Sequence, residues 1–124
     1  MRQLLFVFIG GGFGSALRYI ISKYLNNSDS SFPLGTFTAN VLGSLLIGVI
    51  IGLAVKNDTL TQNQTLLLAT GFCGGFTTFS TFAYENHILL KNGDFISFAL
   101  YTFASFIVAF LAVFAGIYLS RILS

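Results

Sequence analysis

The segment GFCGGFTTFSTF, Gly71 to Phe82, sets three glycines and four hydroxyl side chains among aromatics inside an otherwise apolar stretch. A continuous helix is a poor use of it. Gly74 and Gly75 cost about 1 kcal/mol each in a helix interior, and Thr77, Thr78, Phe79 and Thr81 are β-branched or aromatic. A strand in lipid would leave its edge hydrogen bonds unmade. The remaining reading is a helix broken near the middle of a membrane, whose freed carbonyls need protein, water or an ion to satisfy them. Carbonyls of a discontinuous helix can hold a cation such as Na⁺ without an acidic side chain, and this stretch has none. A glycine kink with no ion accounts for the same residues.

Other residues could serve an ion of the opposite sign. Phe79 and Phe82 are three apart and share a helix face, where their positive ring edges could meet an anion or simply pack. Thr36, Asn40 and Ser44 recur every four residues along one face. Asn40 reads equally as a tie between helices and as a donor to a pore. Tyr101 and Ser105 place two hydroxyls on one face of a helix rich in Phe, Ala and Val. Glu85 lies about one turn beyond Phe82, Asn86 and His87 read as interfacial, and Arg18 reads as snorkelling to the headgroups.

The elements that must position these groups are membrane spans. The chain has 124 residues, 55% hydrophobic and 8% charged, with a mean hydropathy of +0.85. A bilayer core about 30 Å thick needs roughly 20 apolar residues per helix. Four windows reach that length, at 4–25, 34–55, 65–90 and 95–123, separated by NNSDSSFP, KNDTLTQNQ and KNGD. The fold class expected is therefore all-α integral membrane, one transmembrane domain over 1–124 with the third helix broken. The G-x-x-x-G pair Gly10 and Gly14, and the small residues Gly43, Ser44, Gly48 and Gly52, predict close helix contacts. The first apolar run has no A-x-A-like exit, so a cleavable signal peptide is not expected.

A net charge of +2 is too small to imply nucleic acid as a partner. The basic residues are nearly balanced between the two sides, with Arg2, Lys56 and Arg121 on one and Lys23 and Lys91 on the other, Arg18 lying near the latter. Such a chain is expected to insert in both orientations, and an up-down pair can then form an antiparallel, dual-topology homodimer; a separate factor that fixes one orientation accounts for the same few charges. The single cysteine excludes an internal disulfide. One His, one Cys and four separated carboxylates make no nucleophile–base pair, so an enzyme is not expected. A small dual-topology multidrug or ion transporter also fits four spans and balanced charge, but the span at 4–25 lacks the acidic residue of a proton-coupled exporter.

Three blocks in order, GGGFGSALRY, TFTANVLGS and GFCGGFTTFSTF, resemble the CrcB/Fluc family of fluoride channels over most of the chain. The resemblance implies an antiparallel homodimer in the bacterial plasma membrane. It would carry two pathways for passive fluoride export, lowering the ion's toxicity in the cytoplasm, and one central Na⁺ that is structural and not transported. Gly74 and Thr77 match the residues whose backbone carbonyls bind the Na⁺. Phe79 and Phe82 match the paired phenylalanines of the pathway, and Asn40 the pore asparagine. Thr36, Glu85, Tyr101 and Ser105 look like members of a polar track, which Ala109 does not continue. A bulky residue at Gly74 is expected to be severe because the backbone there lacks room to adjust.

Overall fold

The computed structural model describes residues 1–26, 31–57 and 60–123, with the side chains of Lys56 and Asn57 left aside. Parts of the first two polar breaks, at 27–30 and 58–59, thus lie outside the described residues, as does the side chain of Lys56 in the charge balance. Every regular element among the described residues is helical. Helix α1 spans Arg2–Leu25, α2 Leu34–Asn57, α3 Gln62–Thr65, α4 Gly74–Phe76, α5 Phe79–Lys91 and α6 Phe95–Leu123, with an eight-residue π-helical segment, Leu66–Cys73, between α3 and α4. Four stretches are long and apolar enough to cross a membrane: Arg2–Leu25, Leu34–Val55, Gln62–Lys91 and Phe95–Leu123.

Local chemistry starts and stops these elements. Thr61 and Gln64 form a reciprocal capping box, each side chain accepting the other's backbone N–H, at 3.1 and 2.9 Å. Helix α5 ends with Gly93 at φ 76°, where the Asp94 N–H reaches the Leu89 carbonyl and the Gly93 N–H the Leu90 carbonyl. That paired closure needs a left-handed residue, which glycine supplies without strain. Asp94 then caps α6 by accepting the Ser97 N–H at 3.1 Å.

Both expected small-residue seams form. A methyl group added at Gly10 would overlap the Leu67 carbonyl and lie 2.8 Å from the Phe72 nitrogen, so α1 rides directly on the π segment. At the other seam, a methyl added at Gly116 of α6 would lie 3.0 Å from the Cα of Gly48 in α2. With little hydrophobic drive between helices in lipid, such close backbone approach provides the packing attraction that holds them. A small core of Phe82, Leu89 and Tyr101 is flanked by Phe32, Phe37 and Phe98.

Candidate functional site

The third span carries the unusual backbone. The π turns run directly into α4, and Thr77 (φ −92°, ψ 157°) and Thr78 (φ −151°, ψ 118°) are extended before α5 resumes at Phe79. Extended peptides inside a membrane need outside partners. Asn40 of α2 supplies them twice: its Oδ1 accepts the Thr78 N–H at 2.7 Å and its Nδ2 donates to the Thr78 carbonyl at 3.1 Å. Ser44, one turn on, bonds back to the Asn40 carbonyl, the ordinary fate of a membrane-helix serine. The three residues expected to share a face thus have three different partners.

This arrangement redirects two specific donors. In an unbroken helix the Thr78 N–H would serve the Gly74 carbonyl and the Thr81 N–H the Thr77 carbonyl. Here the first goes to Asn40, and the second to the Thr78 hydroxyl at 3.2 Å. Gly74 and Thr77 are the two residues whose carbonyls the family resemblance implies for Na⁺, and both lose their helical donor. Among the described residues no three His, Cys, Asp or Glu side chains gather to hold a metal, so a cation at this place would rest on carbonyl oxygens. The residues present fit such an ion.

Two sequence expectations need correction here. Arg18 does not snorkel; its Nε donates to the Gly75 carbonyl at 3.0 Å, across 57 residues of sequence. A guanidinium thereby closes the C-terminal end of α4, where carbonyls point outward and attract positive charge. Gly74 is also not crowded within the subunit, since an added methyl would meet only the Ala69 carbonyl, at 3.9 Å. The crowded neighbour is Gly75, where the methyl would lie 2.9 Å from the Cα of Gly11.

A surface groove of about 300 Å³ gathers Asn40, Gly74, Thr77, Phe79, Phe82 and Ser105. Asn40, which lines this groove, has spent one of its two amide protons on Thr78 and has a second to give. The Ser105 hydroxyl is buried and has no hydrogen-bond partner among the described residues. The Phe79 and Phe82 rings lie 5.6 Å apart, tilted by 42°. Phe79 is 70% exposed and Phe82 only 7%.

Behind Phe82 lies a second polar group. The Tyr101 ring packs 5.0 Å from that of Phe82. Its hydroxyl donates to Glu85 Oε1, and the buried Thr36 hydroxyl to Glu85 Oε2, each at 2.8 Å. Thr36, Tyr101 and Glu85 therefore form one cluster, separate from the groove and joined to it through Phe82.

Sequence reasoning missed several residues. Phe106 stands edge-on to Phe82, at 89° and 5.8 Å, and also lines the groove. One Phe among many in a membrane helix gives no signal of such a place. The sequence reads Asn86 as interfacial, whereas it is only 7% exposed, with Oδ1 unpartnered among the described residues. Its position four after Phe82 and three before Leu89, both buried, was the available signal.

A four-span membrane protein with a neutral, largely apolar groove bordered by Asn40, beside an interruption in the third span, is the class that this fold and site define. Residues 5–117 match the model of the family described as CrcB-like protein, Camphor Resistance (CrcB), and the chain belongs to that family. It is similar to a protein named fluoride-specific ion channel FluC from Gloeothece citriformis (strain PCC 7424), 49% identical over 122 residues, or 98% of each chain. Proteins of the same name from Chlorobium chlorochromatii (strain CaD3) and Bacteroides fragilis (strain YCH46) are 42% and 43% identical. The first alignment covers 96% of this chain and 92% of the relative, the second 98% of each.

Proposed function

We propose that the chain is the subunit of a fluoride-specific ion channel in the bacterial cell membrane, exporting fluoride passively and so limiting its toxicity. The observation that carries this is the groove, which gathers Asn40, Ser105 and the Phe79 and Phe82 rings, with no cationic side chain among its described lining residues; the Ser105 hydroxyl is buried beside it and has no partner among the described residues. Fluoride is small and strongly hydrated, so a selective path must replace its water with hydrogen-bond donors. A fixed Arg or Lys would trap the anion, whereas neutral donors and ring edges let it leave. The path runs from Asn40 along Phe79 and Phe82 to the Tyr101, Thr36 and Glu85 cluster. The names of the relatives agree with this reading.

The active form is an antiparallel homodimer. The open side of the groove and the 70% exposure of Phe79 support it, since half a channel in lipid would have no water-tight wall. The interruption at Thr77 and Thr78 lies near the membrane midplane, and the Gly74 and Thr77 carbonyls of both subunits hold one Na⁺ between them. That ion fixes the two chains at their middles and places positive charge close to the anion's route, without being transported. Expression in bacteria lacking fluoride export tests the function. Growth in millimolar-range fluoride should be restored by the intact chain and not by the Asn40→Asp variant, and failure of the intact chain to protect would reject the channel reading.

A further inference from the structure

A second cavity, of about 200 Å³, is lined by Asn26, Ser31, Phe32, Pro33, Glu85 and two residues of α5, and shares no lining residue with the groove. Glu85 thus borders this cavity while its two oxygens hold Thr36 and Tyr101, the latter packed on Phe82 of the groove. We infer that the cavity is the port between Glu85 and bulk water, and that Asn26 is a positioning residue that sets the hydrogen-bond direction of the Thr36–Glu85 pair behind it. The inference rests on the channel reading above.

Asn26 ends α1, and its amide is held at both atoms. Oδ1 accepts the Gly35 N–H at 2.6 Å, at the first turn of α2. Because that backbone group is a donor, the atom facing it must be oxygen, so the group facing Thr36 must be the NH₂. Nδ2 lies 3.5 Å from the Thr36 Oγ1 and donates to it. The approach is built in: a methyl at Gly35 would lie 2.8 Å from the Cα of Ser22 and 2.9 Å from Asn26 Oδ1. No larger residue at 35 lets Asn26 take this position.

The direction matters because Thr36 has one proton. With Asn26 donating to its oxygen, the Thr36 hydroxyl is free to give that proton to Glu85, as it does at 2.8 Å. Glu85 then takes hydroxyl donors at both oxygens, from Thr36 and Tyr101. A carboxylate beside an anion's route repels the anion, and donors held to both oxygens draw its charge away from the ion. A group at position 26 that could only accept would compete for the Thr36 proton and strip Glu85 of one donor.

The two atoms of Asn26 can be separated by substitution. Asn26→Asp keeps an oxygen for the Gly35 N–H and replaces the donor facing Thr36 by an acceptor. Wild type, Asn26→Asp, Thr36→Val and the double variant would be reconstituted in liposomes and fluoride efflux followed with a fluoride electrode, with thermal unfolding in detergent measured in parallel. The expected result is that Asn26→Asp unfolds near the wild-type temperature yet conducts about tenfold more slowly, the scale of one hydrogen bond to a charged group. In the Thr36→Val background the same change should cost nothing further, because the effect passes through the Thr36 hydroxyl. Wild-type flux from Asn26→Asp, a fully additive loss in the double variant, or a collapsed fold in Asn26→Asp would each overturn the inference. An additive loss would mean that the new charge acts on fluoride directly. Absence of fluoride flux in the wild type would instead reject the channel reading itself.

Discussion

The Asn40 side chain and the Thr78 peptide bond pair face to face, Oδ1 taking the N–H and Nδ2 serving the carbonyl of the same residue. One amide therefore holds the extended turn of the third span and still has a second proton to donate. The sequence left Asn40 open as a helix tie or a pore donor; its two-proton nitrogen allows both.

Asn40→Asp should abolish fluoride flux. The aspartate keeps an acceptor for the Thr78 N–H but sets a carboxylate oxygen against the Thr78 carbonyl and removes the remaining donor. The lost donor and the unfavourable oxygen pair should also destabilise the fold by about 1–3 kcal/mol, readable as a lower unfolding temperature. Wild-type flux from a folded variant would remove Asn40 from the pathway.

Phe79→Ile and Phe82→Ile both remove a positive ring edge while keeping apolar volume, and flux should fall strongly in each. Their stabilities should differ. Phe82 touches Tyr101 and Phe106 and is buried, so its change should cost about 1 kcal/mol or more from lost aromatic contacts. Phe79 is exposed in the subunit, and its loss should leave subunit unfolding nearly unchanged. Normal conduction by both variants would make the rings plain packing.

Gly74 and Gly75 should separate folding from assembly. Gly75→Ala drives a methyl into the Gly11 backbone and should prevent α1 from seating on the third span. An added methyl has room at Gly74 within the subunit, so Gly74→Ala should fold, and on the proposed assembly it should weaken the dimer and the proposed carbonyl site for Na⁺. Thr77→Ser keeps the carbonyl and should be mild. Exchange of Na⁺ for N-methylglucamine after long dialysis should lower fluoride flux; full flux after verified Na⁺ removal would leave Gly74 and Thr77 as kink residues.

Arg18→Gln should cost about 1.5–3 kcal/mol, because the Gly75 carbonyl loses a charged donor at the end of α4. Arg18→Lys should not restore it fully, since an ammonium lacks the planar reach of the Nε–H. Unfolding of the two variants against wild type decides this, and wild-type stability in Arg18→Gln would make the contact incidental.

The helical class, the four apolar spans and the glycine seams were legible because lipid imposes length and small-residue rules that composition alone reveals. The groove was legible at Asn40, Phe79, Phe82 and Ser105, whose types are unusual or repeat at helical spacing. What escaped were pairings set by tertiary approach. Arg18 and Gly75 are 57 residues apart, and Asn26 reads from sequence only as a turn residue. The π segment was equally hidden, since LLLATGFC has the apolar pattern of an ordinary helix. The room at Gly74 followed from which glycine of the adjacent pair meets α1, a matter of helical phase that the π turns shift by an amount no sequence pattern carries.

The most direct test of the account is fluoride efflux from liposomes carrying only this protein, with chloride run in parallel. Fluoride should leave rapidly through the protein and chloride should be retained, since the proposed path pairs the Asn40 amide with phenyl edges and carries no fixed positive charge to trap the anion. Liposomes that hold fluoride as tightly as empty ones, or that release chloride equally fast, would contradict the assignment of the groove as a fluoride path.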